Sequence, residues 1–458
     1  MRRVVAIGCL LASSARADHA SLHGTATGDV AATDNVFAVA SDAAVGPQAD
    51  VYTQVRPGLL FAYDAPRMIH ELTAEVELLD SFKVGGKPSV TFRGGWRAFF
   101  LPGPRSELLL AANGSTGQLN ALTARTSPDQ TGVGVLPAGR TDVRQADASE
   151  LLSWASSKET RTSQTAFVRW TATSDTVTPP TTTQSLEVGA SGGFERTFDH
   201  DTLGFDLGGS FLRLERIPPP GVMPGARLDQ QLNPRASVVY RHDFNREWSS
   251  NVDGGVVYVN PVGTDTYNPT DVRHATLYPV VGGLLAYTDV WGRATFAARR
   301  AVTPNLYLAQ NTVSDSAIAQ LALPLPWLDD NPHARMPKLV ALGSVGVERT
   351  RLVDPSGALA TVFHVARADV GLGWTPRPGQ TYGLRYEFVY QTSNQQTQQS
   401  YHRDTVFFTF ALTYPARLGT TVPRRGASVR SDRQDLAPIG AEPVVSDPAE
   451  GGESAEPR

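Results

Sequence analysis

The sequence predicts an all-β protein whose chain closes into a single antiparallel transmembrane β-barrel of about 18 strands. Three observations support this prediction: an export signal at the start, apolar and polar residues that alternate with a period of two, and short polar turns that recur along the chain. Residues 1–17 are then a signal peptide, residues 18–417 the barrel, and residues 418–458 a disordered periplasmic tail. The tail is rich in Pro, Gly, Ser, Glu and Arg, so it buries too little apolar surface to offset the entropy lost on ordering.

The first residues have the features of an export signal. Arg2 and Arg3 precede a short apolar run from Val4 to Ala12, and Ala15 to Ala17 has the Ala-x-Ala pattern of a cleavage site. The only cysteine, Cys9, lies inside this segment, so the exported chain has no thiol for a disulfide or a metal. A lipoprotein signal at Cys9 would require cleavage within the apolar run itself.

The remaining composition argues against two classes of protein. No later stretch approaches the roughly 18 apolar residues of a membrane-spanning helix, and the mean hydropathy is -0.21. A net charge of -4 over 458 residues gives no reason to expect nucleic acid as a partner. A membrane location therefore requires strands. The partners we expect are outer-membrane lipid, the barrel assembly machinery and periplasmic export components.

Alternation is clear at both ends of the chain. From Val406 to Tyr414 every second residue is apolar or aromatic, and the run from Tyr382 to Tyr390 places charged or small residues between large apolar ones. Near the front, the run from Leu72 to Leu78 alternates apolar residues with threonine and glutamate. A soluble β-sandwich also alternates, but its strands usually have about 5 to 6 residues. A tilted strand that crosses a bilayer needs about 9 to 11, which fits these runs better.

Short polar turns give the number of strands. The predicted turns are Asp64 to Arg67, Pro102 to Arg105, Ser156 to Thr160, Asp199 to Thr202, Asn245 to Glu247, Thr288 to Val290, Asp329 to Pro337 and Thr375 to Gln380. Eight turns on the same side as both termini imply nine hairpins and hence 18 strands, with 16 as the alternative. The intervening segments, such as Ile217 to Pro234, are longer and are expected to face outward. The first strand is expected around Thr25 to Val39, and Glu107 to Arg125 fits either one strand or two.

Aromatic residues gather beside the short turns. Phe244 and Trp248 flank one turn, Tyr287 lies near another, and Trp374 and Tyr382 flank a third. Outer-membrane barrels carry aromatic girdles at the interface between lipid and water. We expect these residues to anchor the barrel, whereas in a sandwich they would be ordinary core aromatics.

Charged residues on the polar face of the strands are the candidate lining of the lumen. The candidates are Arg56, Glu71, Glu75, Glu77, Arg93, Arg97, Arg169, Glu187, Asp206, Arg241, Asp253, Arg293, Arg299, Arg367, Asp369, Arg385 and Glu387. With Glu195, which the alternation places on the same face, nine acidic residues balance nine arginines, and this balance predicts a hydrated interior with weak charge selection.

Two hairpin registers pair some of these charges across neighbouring strands. One register is centred near residue 84 and the other at Arg377, and residues at equal distances from each centre lie opposite each other. The predicted pairs are Glu75 with Arg93, Glu71 with Arg97, Asp369 with Arg385, and Arg367 with Glu387. The alternative is that such pairs only stiffen the wall, each by about 0.2 to 1 kcal/mol.

Few residues suggest chemistry. His402 stands beside Arg403 and Asp404 at an expected rim, but no serine or second acid stands at a recognisable spacing. The segment from Gly85 to Pro88 lacks the first glycine and the hydroxyl residue of a phosphate-binding loop. We therefore expect no catalytic residue, no cofactor and no metal site.

The last strand resembles the assembly signal of outer-membrane β-barrel proteins. That signal is an alternating apolar pattern that ends on an aromatic residue, as Phe410, Leu412 and Tyr414 do here. The chain departs from the pattern because more than forty residues follow Tyr414. The segment from Ala32 to Val36 and the lack of a plug domain also resemble the barrels associated with exopolysaccharide export.

The resemblance implies a location in the bacterial outer membrane with both termini in the periplasm. The expected function is a polar pore or conduit for a hydrophilic solute or polymer, such as an exported polysaccharide. The alternative is a closed barrel that acts as a surface scaffold or anchor through its long loops.

Overall fold

The computed structural model describes the barrel but neither end of the chain. Described are residues 20–36, 46–83, 88–119, 141–175, 180–221, 225–263, 265, 267, 274–289, 291–305, 310–325, 338–352, 362–394 and 400–415. The expected signal peptide and C-terminal tail lie outside these residues. No helix in these ranges is long and apolar enough to cross a membrane.

Eighteen antiparallel strands form one closed sheet. The strands are β1 (Ala20–Thr33), β2 (Asp50–Ala65), β3 (Met68–Ser81), β4 (Ser89–Gly103), β5 (Ser106–Leu119), β6 (Thr141–Ala155), β7 (Thr160–Asp175), β8 (Thr182–Phe198), β9 (Asp201–Ile217), β10 (Arg227–Asp243), β11 (Trp248–Pro261), β12 (Thr276–Asp289), β13 (Gly292–Asn305), β14 (Gln310–Pro324), β15 (Leu339–Leu352), β16 (Val362–Arg377), β17 (Gln380–Ser393) and β18 (Tyr401–Tyr414). Each strand pairs with its neighbours in the chain, and β18 pairs with β1 to close the cylinder. The predicted all-β barrel and its strand number are confirmed.

Connections of two lengths define the two rims. The short-turn rim carries eight connections, of which seven have two or four residues and one, between β14 and β15, is longer. Six of the predicted turns overlap these connections within the described residues, and the predicted turn from Thr288 reaches the end of β12. The predicted turn from Asp329 to Pro337 lies outside the described residues. The opposite, long-loop rim carries most of the longer ones. The predicted loop from Ile217 to Pro234 extends too far, because Arg227 to Pro234 already pair with β9. The first strand lies earlier than predicted, and β5 is a single strand.

The registers wind the strands obliquely around the barrel. Tracing paired residues once around the sheet returns to β1 displaced by about 22 residues, which corresponds to a strand tilt of about 40°. Directly paired residues of antiparallel strands point to the same side. The registers therefore sort every strand residue onto one of two faces.

The outer face is apolar and open, whereas the inner face is polar and crowded. Leu207, Val238 and Phe296 on the outer face are 56%, 56% and 51% exposed. A Cβ atom added to Gly255 on the inner face would collide with the neighbouring strand, whereas at Gly254 on the outer face nothing lies within 4 Å. Inner side chains converge because this face is the concave side of the sheet. Glycine at crowded inner positions leaves room for the side chains beside it.

Two of the four predicted charge pairs fall on a register that the structure contradicts. Pro378 and Gly379 form the turn between β16 and β17, and a bulge shifts the register between Trp374 and Arg377. The hairpin is therefore centred beyond Arg377. The structure places Asp369 opposite Glu387, Gly371 opposite Arg385, and Arg367 opposite Val389. The register predicted near residue 84 is confirmed, with Glu75 opposite Arg93 and Glu71 opposite Arg97.

The turn at Gly379 provides a test of this hairpin. Gly379 has a φ of 78°, and a left-handed conformation costs a residue with a Cβ about 1 to 2 kcal/mol. Gly379→Ala should lower the free energy of unfolding by that amount in urea titrations of the detergent-folded barrel. Gly283→Ala is the matched control, because nothing lies within 4 Å of its added Cβ. Equal effects of the two substitutions would contradict the proposed turn geometry.

Candidate functional site

The registers place all seventeen candidate lumen residues on the inner face. Arg56 lies on the same face as Glu77, for example, and Arg169 is directly opposite Glu187. Asp206 on β9 and Asp253 on β11 reach the same face through their pairing with β10. Contact of these residues with a passing solute stays a prediction.

Four charged residues form a continuous chain across β1 to β4. The Arg56 guanidinium lies 3.6 Å from the Asp29 carboxylate and 3.9 Å from that of Glu77. Glu77 in turn lies 2.8 Å from the Arg93 guanidinium and is only 2% exposed. Arg93 thus reaches Glu77, one inner position along β3 from its directly opposite residue Glu75. Glu77 is the shared carboxylate that holds the two arginines together.

Strands β7 to β10 repeat this arrangement in shorter units. Arg169 on β7 lies 4.0 Å from Glu187 on β8, and Arg235 on β10 lies 3.8 Å from Asp206 on β9. Between these units and β4, the Asn113 amide on β5 donates a hydrogen bond of 2.9 Å to Asp147 on β6. Each contact joins an acidic residue to a basic or amide side chain on a neighbouring strand.

Strands β15 to β18 carry further charged contacts. Arg403 on β18 lies 3.6 Å from Glu387 on β17, and both side chains are at most 5% exposed. The Ser344 hydroxyl on β15 donates a hydrogen bond to Asp369 on β16. The Arg385 guanidinium stacks over the Phe407 ring at 4.7 Å from its centroid. These contacts hold the polar groups against the wall.

Together these residues form what we call the charged belt, which lies on the inner face in the middle half of the strands. Its members are Asp29, Arg56, Glu75, Glu77, Arg93, Arg97, Asp147, Arg169, Glu187, Asp206, Arg235, Asp253, Arg299, Glu348, Arg367, Asp369, Arg385 and Glu387. Every strand except β5, β12, β14 and β18 contributes to it. The other three candidates, Glu71, Arg241 and Arg293, lie nearer the short-turn rim.

Sequence reasoning missed several inner-face charges. Arg235 is missed because the predicted loop runs to Pro234. No strand residues before Arg235 then define the face to which its side chain points. The sequence groups Arg403 with His402 at a rim. However, Arg403, Thr405 and Phe407 are every second residue of β18 and therefore share the inner face. Alternation within β18 was the signal that could have placed Arg403 inside.

His402 lies on the outer face and not in the lumen. It is directly opposite Tyr390, while the Asp404 carboxylate on the same face accepts a hydrogen bond from the Tyr386 hydroxyl. The neighbouring Arg403 points to the other side of the wall. The structure therefore separates the three residues that the sequence placed together at a rim.

Part of the long-loop rim is fastened by side chains. The Asp265 carboxylate accepts hydrogen bonds from the backbone N–H groups of Leu228 and Tyr267, at 3.1 and 2.9 Å. The Tyr267 hydroxyl donates to Glu215 at 3.0 Å, and this hydrogen bond raises the pKa of Tyr267. These contacts tie the segment after β11 to the ends of β9 and β10.

Comparison with known proteins gives distant structural similarities only. No family model and no curated protein matches the chain. OpdK of Pseudomonas aeruginosa, solved with vanillate, is 11% identical with a TM-score of 0.44, over 86% of this chain and 99% of that one. OccAB3 of Acinetobacter baumannii is 9% identical with a TM-score of 0.43, over 86% and 99%. The FrpB iron transporter of Neisseria meningitidis is 8% identical with a TM-score of 0.45, over 86% and 81%. These similarities are too low to assign a function to this chain.

The shared carboxylate of Glu77 gives a testable expectation. Glu77→Gln keeps the shape of the side chain but removes the charge that holds Arg56 and Arg93, and removing the partner of a buried polar group costs about 1 to 3 kcal/mol. We expect the free energy of unfolding in urea to fall by that amount. Glu75→Gln removes a charge from the same strand and face and should change it by less than about 1 kcal/mol. A loss no greater for Glu77→Gln than for Glu75→Gln would contradict this role.

Proposed function

We propose that this protein spans a bacterial outer membrane and forms a water-filled pore for small hydrophilic solutes, with both termini on the periplasmic side. The observation that carries the proposal is the division of the wall into two faces. The outer face exposes large apolar side chains along the strands, while the inner face carries the charged belt. Closure between β18 and β1 leaves the sheet without a free edge, as a sheet in lipid requires.

Aromatic contacts at the short-turn rim support a membrane boundary there. Trp248 and Tyr287 are directly paired with ring centroids 4.9 Å apart, and Trp374 and Tyr382 are paired at 5.7 Å. Their amphipathic rings suit the headgroup region of a bilayer. Their position just inside the short turns matches the girdle that the sequence predicts.

The charged belt supports passage with little charge preference. Arginines and acidic residues are interspersed around the belt, so a solute in the lumen meets no ring of one sign that would select ions. Neither the geometry nor the comparisons select a polymer such as an exported polysaccharide, and we propose hydrophilic solutes in general. We propose passage and not catalysis, with outer-membrane lipid and the assembly machinery as partners.

Conductance in a planar lipid bilayer tests the pore directly. The purified, detergent-refolded protein should insert in stable steps, with a reversal potential near zero in a salt gradient. The same sample should shift in gel mobility on heating, which identifies a folded barrel. A heat-modifiable barrel without conductance would overturn the pore in favour of the surface scaffold, and failure to insert would overturn the membrane location.

A pair of arginine substitutions tests which face meets lipid. Leu207→Arg places a charge on the outer face near the middle of β9, where a barrel in lipid loses about 2 to 4 kcal/mol. Asn113→Arg is the matched control, because it places the same charge on the inner face beside Asp147. Folding yield into vesicles and urea unfolding there should show a large loss for Leu207→Arg only. The reverse order would contradict the facing assignment.

A further inference from the structure

The wall between β12 and β13 is paired over only part of its length. These strands share nine residue pairs, the fewest of the eighteen registers, and the last pair toward the long-loop rim is Val281 with Arg300. Both strands continue beyond it, β12 back to Thr276 and β13 on to Asn305. In the part of the chain that the structure describes, no pair joins Val280 to Ala301 or the positions above. The ladder is therefore interrupted toward the long-loop rim, and we call this unpaired stretch, Thr276 to Val280 beside Ala301 to Asn305, the split.

Each side of the split keeps its other neighbour. Thr276 to Val280 remain paired with β11, and Ala301 to Asn305 remain paired with β14. Each strand is thus intact and lacks only the pairing across the split. This differs from the local irregularity beside Pro57, where pairing of β2 with β3 resumes after two residues.

Two prolines account for the split. Pro279 lies in the unpaired part of β12 and Pro304 in the unpaired part of β13. Proline has no N–H to donate to a ladder, and strands therefore carry it mainly at edges or bulges. Because both prolines lie where the backbone pairs between β12 and β13 are missing, each strand is locally an edge strand on that side.

The inner surface beside the split is less polar than the rest of the wall. The fully described strand β12 places no charged residue on its inner face, and Tyr278, Val280 and Leu284 stand there. Ala297 and Ala301 on β13 are 8% and 7% exposed. This apolar surface interrupts the charged belt, so it suits an apolar chain better than a fully hydrated solute.

Two arginines mark the end of the split, one on each side of the wall. Arg299 points into the lumen opposite Gly282, and Arg300 points outward opposite Val281 in the last pair. An anionic group can therefore find a guanidinium before and after crossing the wall. The split therefore has apolar inner residues beside it and, at the end where pairing resumes, one guanidinium on each side of the wall.

The outer face continues this positive character beside the split. Arg300, Asp315, Arg349 and His364 are directly paired in sequence across β13 to β16, and Arg351 lies two residues beyond Arg349 on the same face. Asp315 lies 3.6 Å from Arg300 and balances one charge. The row retains a net positive charge on a face that is otherwise rich in apolar residues. Phosphate or carboxylate head groups of amphiphiles suit such a row at a membrane surface.

We propose that the split between β12 and β13 is a lateral opening that admits single-chain anionic amphiphiles between the membrane and the lumen. The proposal rests on the membrane location proposed above. The acyl or alkyl chain lies against Val280 and Ala301, while the head group moves between Arg300 outside and Arg299 inside.

The test uses an alkyl phosphate with a photoactivatable group on its chain, incorporated into vesicles that contain the barrel. Illumination followed by peptide mapping should label inner-face residues beside the split, such as Tyr278 and Leu284, as well as outer residues such as Val281. The double variant Val280→Cys with Ala301→Cys can then close the split, because the exported chain is expected to have no other thiol. Oxidation to the disulfide, or a short cross-linker with two maleimide groups, should abolish the inner labelling and keep the outer labelling. In the oxidised sample, reduction of the disulfide should restore the inner labelling.

A matched cysteine pair separates closure from mere cross-linking. Leu284→Cys with Ala297→Cys joins residues of the same register that are already paired, so the cross-link should leave labelling of Tyr278 unchanged. Arg299→Gln should reduce the inner labelling. Absent inner labelling in the parent protein, or inner labelling that persists after closure at 280 and 301, would overturn the lateral opening. Conductance on the same samples tests the pore, whereas the labelling tests the lateral opening. A failure of one proposal can therefore be distinguished from a failure of the other.

Discussion

Closure of the ladder between β18 and β1 is the constraint on which the other features depend, because an open edge leaves a row of unpaired N–H and C=O groups that lipid cannot satisfy. Side chains reinforce the long-loop end of this seam. The Asp34 carboxylate accepts a hydrogen bond from the N–H of Asp404 at 2.8 Å, and the Asn35 amide donates to the His402 carbonyl at 3.0 Å. The segment from Ala32 to Val36 therefore fastens the first strand to the last one. Val36 then turns inward and packs against inner-face residues that include Tyr52 and Phe407.

Once the sheet is closed, its curvature decides what each face can hold. The outer face diverges and leaves space around large apolar side chains, while the inner face converges until a Cβ at Gly255 would collide with its neighbours. Charges that share this concave surface lie close together, so a run of one sign would repel itself. Alternation of acid and base, as in the chain through Arg56, Glu77 and Arg93, removes that repulsion and binds adjacent strands.

The split beside Pro279 and Pro304 departs from full closure. Unpaired backbone groups are costly in lipid, so a gap in the ladder is tolerated where water or polar side chains can satisfy them. The split runs toward the long-loop rim, and the arginines at its end supply hydrogen-bond donors on both sides of the wall. A complete ladder strengthens the wall, whereas a gap in the ladder would give access through it. The other strand pairs keep the ladder.

The sequence by itself determined the all-β class, the number of strands, most of the short turns and the division into two faces, because alternation with a period of two and turn chemistry are local properties. It also placed Glu75 opposite Arg93 through a hairpin whose centre is readable from the chain. The tertiary structure alone decided what depends on geometry between strands. A bulge and the Gly379 turn displaced the second register, Arg93 turned to Glu77 in place of Glu75, and Arg403 joined the inner wall. The missing pairs between β12 and β13 also belong to the geometry between strands, because a proline interrupts a ladder only on the side to which its N–H would point.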